Sequence, residues 1–395
     1  MYADSAKLAA MCEKAREAGR LGVDCEFIRE RTYYPKLALI QLATEDEIAL
    51  VDPIDSVDLA PLDEIMGDPS VLKVLHAPKQ DLEIFYNRTQ KPPRAIFDTQ
   101  LAASFAGLGS QLAYSALVMR VLERTVAKGE SFTDWLQRPL SADQERYALE
   151  DVRHLFELHD QLSARLEELG RSAWVEEECR GFEEIGIYEQ DPSTLYKKVK
   201  RAGGLKSRGL AVLRELAIWR EEEAKERDKP RRAILSDELL VELARMAPKR
   251  VEDLKRFRGL PPRVIQRTGK AIVAAIREGN AVTKEATPER TRGPRMSDGD
   301  QLSVDLLDSC HRALCNRASI SPQIVGTRAD LERLVLEVRL GVVGETRSSL
   351  LTGWRRELVG EDLLKVLAGE VSIHLDPETG FPEFVARGED GTREK

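Results

Sequence analysis

Polar and apolar residues alternate in a short segment near the start of the chain, LGVDCEF at 21–27. A period of two predicts a β-strand, in which side chains two positions apart share one face. Asp24 and Glu26 should therefore lie side by side on that face. Neighbouring carboxylates repel each other unless a cation lies between them. The segment thus predicts either an edge strand with solvated acidic side chains or a strand that holds a metal ion.

Further apolar segments predict the rest of an N-terminal α/β domain. Runs at 36–44 and 48–53 follow after short polar turns, which predicts an antiparallel meander with 21–27. The remaining pattern predicts helix 1–20, helix 59–68, strand 70–77, helix 79–87, a strand and helix over 94–107, and helical sequence over 109–170 with breaks near Gly129 and Pro139. Strands followed by alternating helices indicate a mixed sheet with helices on both faces.

The second half of the chain has a helical pattern and polar connections. A mixed connector precedes a helical segment, a polar Pro- and Gly-containing linker and a second helical segment, and a disordered tail is expected from residue 386. The predicted divisions are 1–170, 171–204, 205–280, 281–299 and 300–385. The fold class predicted from this order is an α/β domain followed by two small all-α helical bundles.

Length and composition limit the class of protein. The 395 residues suffice for two or three domains. No apolar run approaches the ~18 residues of a membrane span, and the first 20 residues lack the apolar core of a signal peptide. The five cysteines are scattered, which indicates reduced thiols. These features predict a cytoplasmic protein without a membrane partner.

Charge is distributed unevenly along the chain. The formal net charge is −8, but residues 197–280 contain 23 Lys and Arg against 12 Asp and Glu, a net of +11, which leaves −19 elsewhere. A basic segment on an acidic protein fits a module that contacts nucleic-acid phosphates. Many of these charges also have i,i+4 spacing, so a solvated helical face explains them equally well.

Three further acidic or phenolic residues could join the pair on the first strand. Asp81 lies in the first turn of a predicted helix, and Tyr147 and Asp151 are one helical turn apart on one face. With Asp24 and Glu26 they supply four carboxylates, which is what two divalent ions about 3.5–4 Å apart need for phosphoryl transfer. Oxygen ligands without Cys or His favour Mg²⁺ or Mn²⁺ over Zn²⁺. The Tyr147 hydroxyl is better suited to positioning a water than to acting as a base, because a phenol has a pKa of about 10.

The order of these residues resembles a known nuclease family. The patterns D-x-E, H-x4-D and Y-x3-D are similar to the three exonuclease motifs of the DEDD superfamily, in its Tyr-bearing branch. Their flanks VDCEFIRERTYYPKLALIQLA, KVLHAPKQDLEIF and TDWLQRPLSADQERYALEDVRHL resemble the ribonuclease D family. The resemblance implies a ribonuclease H-like mixed sheet. It also implies that Asp24, Glu26, Asp81 and Asp151 bind metal and that Tyr147 orients the attacking water.

Several neighbours of these motifs are candidate substrate contacts. They are Phe27, Arg29, Tyr33, His76 and Gln80. A role in the core or behind the ligands is the alternative for His76, and a charged surface turn is the alternative for Arg29 and Tyr33. Trp135 and Arg138 are instead expected to anchor the helix that carries Tyr147.

The two C-terminal helical segments resemble modules of the same family. LRELAIWREEEAKERDKPRRAILSDELLVELARMAP and LKRFRGLPPRVIQRTGKAIVAAI are similar to the helicase-and-RNase-D C-terminal (HRDC) domain, with Trp219 expected in its core. Residues 300–369 resemble a second such module. Candidate phosphate contacts, which give salt-dependent binding, are Arg231, Arg232, Lys255, Arg256 and Arg263.

These features predict a monomeric, metal-dependent 3′–5′ exoribonuclease. By its resemblance it would release 5′-mononucleotides and trim RNA with a free 3′ end, such as tRNA precursors. Two alternatives remain open. One is a DNA-directed 3′–5′ exonuclease with the same site, and the other is a non-catalytic RNA-binding scaffold.

Overall fold

A five-stranded mixed sheet lies at the centre of the N-terminal domain. The computed structural model describes residues 2–126, 133–283, 288, 296–343 and 348–386. The strands are β1 Arg20–Ile28, β2 Lys36–Ala43, β3 Ile48–Val51, β4 Leu72–Leu75 and β5 Ile96–Asp98, and their order is β3-β2-β1-β4-β5. β1, β2 and β3 pair antiparallel, whereas β4 pairs parallel with β1 and with β5. The predicted meander and mixed sheet are confirmed.

Helices cover both faces of this sheet. They are α1 Ser5–Ala18, α2 Ala60–Gly67, α3 Lys79–Thr89, α4 Thr99–Phe105, α5 Tyr114–Leu122, α6 Ala142–Arg153 and α7 Leu155–Glu168. Residues of α1, α2 and α3 pack on the strands in one core cluster. On the other face, Val152 and Leu155 pack against Ala43 and Val74 of the sheet. Val152 and Leu155 therefore anchor α6 and α7 on the sheet.

The helix that carries Tyr147 and Asp151 is shorter than its sequence pattern predicts. The apolar periodicity continues without interruption through 144–156, but α6 ends at Arg153 and α7 begins at Leu155. His154 between them has φ −109° and ψ 7°, which lies outside helical geometry. Its backbone N–H donates to the Tyr114 hydroxyl at 3.1 Å. A side chain from α5 therefore holds the break, and sequence periodicity alone does not reveal such a contact.

The helical bundle predicted after the connector is confirmed, and its helices lie between Ser207 and Ala281. Its helices are α9 Ser207–Glu226, α10 Arg231–Ile234, α11 Asp237–Met246 and α12 Pro262–Ala281, with a 3₁₀ turn at Val251–Arg256. The expectation that Trp219 lies in its core is wrong, because the ring is only partly buried at the core's edge. Arg220 beside it is buried instead and donates to the Leu235 carbonyl at 3.0 Å and to Asp237 at 2.7 Å.

Helices α9 and α12 approach closely at Gly279. A Cβ at this position would lie 2.5 Å from the Val212 Cα and 2.9 Å from the Ala211 carbonyl oxygen. We expect Gly279→Ala to lower the free energy of unfolding by about 1–3 kcal/mol, because backbone atoms cannot rotate away as side chains do. Urea unfolding measures this loss. Glu278→Ala, on the exposed face of the same turn, is the matched control, and equal unfolding midpoints for the two variants would contradict the expectation.

A connector and a C-terminal module complete the described chain. The connector contains α8 Ser172–Arg180 and 3₁₀ turns at 181–183, 185–187, 192–198 and 202–204. The module contains α13 Asp298–Arg317, α14 Pro322–Val325, α15 Arg328–Leu340, a 3₁₀ turn at 349–351, α16 Gly353–Arg355, a π-helical turn at 356–360 and α17 Glu361–Ala368. An antiparallel hairpin of β6 Val371–Leu375 and β7 Pro382–Ala386 follows, which the all-α prediction for this module misses.

The N-terminal domain and the C-terminal module share one hydrophobic core. Phe105 of α4 and Trp174 of α8 pack in the same cluster as Trp354 of α16. Most of the predicted linker, at 284–287 and 289–295, and the tail from 387 onward lie outside the described residues. None of the described helices combines the length and apolar character needed to cross a membrane.

Candidate active site

Strand β1 presents Asp24 and Glu26 to the face of the sheet that α6 covers. Asp24 pairs with Gln41 and Glu26 with Leu39 across the antiparallel ladder, and a bulge follows between Glu26 and Phe27. Helix α6 begins at a capping box in which the Ser141 hydroxyl accepts the Gln144 N–H while the Gln144 side chain accepts the Ser141 N–H. This cap fixes the start of the helix nearly three turns before the position of Asp151.

Three of the four predicted ligands converge. Oxygens of Asp24, Glu26 and Asp151 all lie within 4.8 Å of one another. The three side chains are partly buried, and each offers an oxygen donor to a common point. Such an all-carboxylate set fits a hard divalent cation, because the ion's charge offsets the mutual repulsion of the acids.

Asp81 approaches the same site from another element. It is 7% exposed in the first turn of α3, and it is not one of the three residues that share the 4.8 Å cluster. Its charge nevertheless raises the pKa of both Asp24 and Glu26. The structure thus brings all four predicted ligands to one region.

The carboxylates are electrostatically strained without a cation. Burial, followed by the charges of Asp81, Asp151 and Glu26, raises the pKa of Asp24 well above its usual range. Burial and the charge of Asp151 raise the pKa of Glu26 to about 8. Burial also raises the pKa of Asp81 and that of Asp151 to about 7 each. A buried group of like charges is therefore costly unless a cation offsets their repulsion.

Tyr147 lies beside Asp151 on α6, as its spacing predicts. Its hydroxyl donates a hydrogen bond to the Asp151 carboxylate, which lowers the pKa of Asp151 against the larger effect of burial. The Tyr147 ring packs near Trp135, with ring centroids 6.1 Å apart. Arg138 donates to the Trp135 carbonyl at 2.7 Å and to the Ala38 carbonyl at 2.6 Å. Trp135 and Arg138 thus anchor the start of α6, as expected.

Two residues near the site, Asp98 and Tyr114, are not predicted from the sequence. Asp98 accepts the Ala77 N–H and the Gln100 N–H, each at 2.9 Å, and so joins the turn before α3 to the start of α4. It therefore fixes the turn that leads to Asp81. Tyr114 accepts the His154 N–H at the end of α6, close enough for Asp151 to raise its pKa. The one local signal for Asp98 is its position before Thr99-Gln100, where an Asp caps a helix.

The predicted substrate contacts have different environments. Both ring nitrogens of His76 have partners: Nε2 lies 3.0 Å from the Leu112 carbonyl and Nδ1 lies 2.9 Å from the Thr99 hydroxyl. Burial lowers the pKa of His76 to about 4.

The other candidate substrate contacts are more exposed than His76 or lie at the surface. Gln80 is exposed beside Asp81, and Phe27 is half-buried after the bulge. Arg29 forms an ion pair with Glu83 of α3. Their contact with substrate stays a prediction, and the geometry of His76 fits the alternative role behind the ligands.

Tyr33 and Arg231 meet each other at a contact between the sheet domain and the helical bundle. The Tyr33 hydroxyl donates to buried Glu221, and Arg231 donates to the same carboxylate at 2.7 Å with its guanidinium 5.3 Å from the Tyr33 ring centroid. Asp228 accepts the N–H groups of Tyr33 and Tyr34 at 2.9 and 3.0 Å. The candidate substrate contact Tyr33 and the candidate phosphate contact Arg231 therefore both have partners within the protein, and their contact with substrate stays a prediction.

The other predicted cations on the bundle face solvent. Arg232, Lys255, Arg256 and Arg263 are all exposed. Lys255 and Arg256 end the 3₁₀ turn before α12, and Arg263 is in the first turn of α12. Their contact with nucleic acid stays a prediction.

Comparison with known families covers both predicted functional regions. Residues 1–167 match the model of a 3′-5′ exonuclease family, and residues 209–276 match the model of the HRDC domain. The exonuclease match spans all five residues of the candidate site. The HRDC match confirms the family predicted for the first helical bundle, whereas the HRDC-like character of the C-terminal module stays a prediction.

Related proteins and a solved structure align with nearly the whole chain. Ribonuclease D of Gluconacetobacter diazotrophicus is 37% identical over 371 residues, which is 93% of each protein. Ribonuclease D of Granulibacter bethesdensis is 36% identical over 94% of this chain and 93% of that protein. The crystal structure of Escherichia coli RNase D superposes with a TM-score of 0.81 at 31% identity, over 93% of this chain and 98% of that one. The chain therefore belongs to the ribonuclease D family and is a 3′–5′ exoribonuclease.

Proposed function

We propose that Asp24, Glu26, Asp81 and Asp151 bind two divalent ions, Mg²⁺ or Mn²⁺, with which the chain releases 5′-mononucleotides from RNA 3′ ends. Dependence on divalent metal is a property of this exonuclease family. The main support for this ligand set is that oxygens of Asp24, Glu26 and Asp151 lie within 4.8 Å of one another. These residues come from β1 and α6, which are far apart in the sequence. Their raised pKa values support it, since a buried acidic cluster is costly unless a cation compensates it.

The roles of the side chains follow from their positions. Bound divalent ions supply an acidified water and stabilise charge on the leaving oxygen. Asp24 and Glu26, on rigid β1, fix where the ions bind, and Asp151 completes the set from α6. Tyr147 hydrogen-bonds Asp151 and lies one turn from it, so its hydroxyl is placed to hold the attacking water beside the ligands. As a phenol it orients this water rather than deprotonating it.

Tyr147→Phe is expected to separate water positioning from metal binding. The variant keeps the ring that packs near Trp135 but loses the hydroxyl, so we expect kcat to fall by about 100-fold or more with Mn²⁺ affinity nearly unchanged. Single-turnover hydrolysis of an RNA oligonucleotide and calorimetric Mn²⁺ titration measure the two quantities. An equal loss in both would assign the hydroxyl to the metal site instead.

The proposed substrate is structured RNA with a free 3′ end, such as a tRNA precursor. The E. coli relative is described as an exoribonuclease involved in structured RNA processing, which supports this choice. We assign phosphate contacts to the exposed cations Arg232, Lys255, Arg256 and Arg263 of the HRDC domain. Such contacts give affinity that falls as salt concentration rises and depends little on sequence.

A gel time course in Mg²⁺ tests the substrate and the site together. A 3′-extended tRNA precursor and a single-stranded DNA of equal length are compared, with an Asp151→Ala lane and an EDTA lane as controls. We expect one-nucleotide shortening that stops near the tRNA stem and disappears in both controls. Faster loss of the DNA would favour a DNA-directed enzyme, and hydrolysis by Asp151→Ala at the parent rate would contradict the proposed ligand set.

We propose that the chain is organised in five divisions, 1–170, 171–204, 205–280, 281–299 and 300–385. We also propose that the protein is a monomer in the cytoplasm. The end of α12 at Ala281 and the start of α13 at Asp298 support the two boundaries of the linker. The five cysteines are all buried and unpaired, which fits a reducing compartment. Light scattering on a sizing column gives the molar mass, and a value twice that of one chain would contradict the monomer.

A further inference from the structure

Gln41 of β2 is a fully buried amide with an unusual environment. Its exposed fraction is 0%, and neither its Nε2 nor its Oε1 has a hydrogen-bond partner among the described residues. Buried amides without partners are rare because they lose their hydrogen bonds to water and gain none in return. Such a group therefore needs an explanation from the residues around it.

The neighbour of Gln41 on the adjacent strand is Asp24. The two residues pair directly across the antiparallel ladder of β1 and β2, so their side chains share one face with Cβ atoms about 4.5–5.5 Å apart. The next pair on this face is Gly22 with Ala43, and a Cβ at Gly22 would lie 3.3 Å from Leu155 Cδ1. Gln41 is therefore enclosed between the sheet and the helices that cover the active site.

The other residues around Gln41 are mostly apolar. Leu50 pairs with it on the β3 side, and Leu50 belongs to a buried cluster with Leu39 and Ala148. Trp135 is in the same cluster, and its indole Nε1 also lacks a partner among the described residues. Indole N–H is a donor, so it suits Oε1 of Gln41 rather than Nε2. The charged acceptor nearest in the ladder to the Nε2 donor is the Asp24 carboxylate.

We propose that Gln41 is a positioning residue that acts through Asp24. When an ion is bound, its Nε2 would donate to the Asp24 carboxylate and hold it in the orientation that binds the ion. The amide has no other described partner to give up, so this bond forms without breaking another. The inference rests on the ligand role proposed for Asp24. Donors behind metal ligands typically change metal affinity by about 10–100-fold when they are removed.

Gln41→Leu and Gln41→Met test this role, with Mn²⁺ as the probe. Each variant keeps a side chain of similar size but removes both polar atoms. We expect Mn²⁺ affinity, measured by electron paramagnetic resonance, to fall by about 10–100-fold. The melting temperature of the metal-free protein should stay equal or rise, because an apolar group replaces a buried amide without partners. Ile40→Val, on the opposite face of β2, is the matched control for a small change in the core.

A double-variant cycle with Asp24→Asn shows whether the effect passes through Asp24. Gln41→Leu should weaken Mn²⁺ binding in the parent and have little further effect beside Asp24→Asn. Unchanged Mn²⁺ affinity in Gln41→Leu, the same loss in both backgrounds, or failure of both Gln41 variants to fold would each overturn the inference. A parent protein that binds no Mn²⁺ would contradict the proposed function itself, so the two failures are distinguishable.

Discussion

Replacing Asp24 by Asn is expected to abolish RNA hydrolysis and, in the absence of divalent ions, to stabilise the folded protein. Asp24 has an oxygen within 4.8 Å of both Glu26 and Asp151, so its loss removes a shared ligand of the proposed metal site. We expect the hydrolysis rate to fall by at least about 1,000-fold, the scale on which loss of a main electrostatic group acts. The same change removes one charge from a buried cluster of like charges, which favours folding when no cation is bound.

The stabilising effect of Asp24→Asn should grow with pH. Burial and neighbouring acids raise the pKa of Asp24 in the folded state, so the parent binds more protons folded than unfolded above the ordinary carboxyl pKa of about 4. Its stability therefore falls as pH rises, whereas the amide does not titrate. Glu26, with a pKa raised to about 8, extends the same trend in both proteins. Added Mg²⁺ should reverse the order, because only the parent keeps its full ligand set.

Thermal unfolding in EDTA at pH 5.5 and pH 8, repeated with Mg²⁺, measures these shifts. The control is Asp46→Asn, the same substitution on an exposed turn of the meander. We expect the variant to melt above the parent in EDTA, by more at pH 8, and to gain less from Mg²⁺. Hydrolysis by Asp24→Asn at nearly the parent rate would show that Asp24 is not a required metal ligand. A melting temperature of Asp24→Asn below that of the parent in EDTA would contradict the electrostatic argument.

The parts of this fold that sequence predicts are those whose cause is local. Alternation in 21–27 gives β1, and the short apolar runs after it give β2 and β3 with their antiparallel order. The four-residue spacing of Tyr147 and Asp151 puts both on one face of α6, where they hydrogen-bond. The convergence of Asp24 and Glu26 with Asp151 follows from the motif order, because the resemblance implies one fold for all three motifs.

The parts that sequence misses depend on contacts between distant elements. The break at His154 rests on a hydroxyl from α5, and the role of Asp98 rests on a turn 21 residues earlier in the chain. Tyr33 looks like an exposed turn residue until the helical bundle supplies Glu221 as its partner. Gln41 reads as one polar residue in an apolar strand, and only the ladder register reveals that it faces Asp24. Periodicity records which face of an element is buried but not which partner covers it.

Trp354→Ala is expected to destabilise the N-terminal domain and the C-terminal module together. Trp354 is 1% exposed, stacks on Trp174 of α8 at 5.5 Å between ring centroids and contacts the Phe105 ring at 4.8 Å. Its indole Nε1 donates to Glu178 at 2.9 Å. Truncation leaves a cavity and removes the indole hydrogen bond, so we expect a loss of about 3–5 kcal/mol in the free energy of unfolding.

The shared core makes this loss a test of how the chain is organised. If the C-terminal module were an independent bundle on a tether, Trp354→Ala would unfold the module and leave the exonuclease domain unchanged. Because Phe105 lies on α4 of the exonuclease domain, we expect a single urea transition that shifts to lower concentration for both near-ultraviolet circular dichroism and exonuclease activity. Phe381→Ala, at a ring that is 46% exposed beside the C-terminal hairpin, is the matched control and should shift little. A separate early transition with full activity retained would instead show two independent folding units.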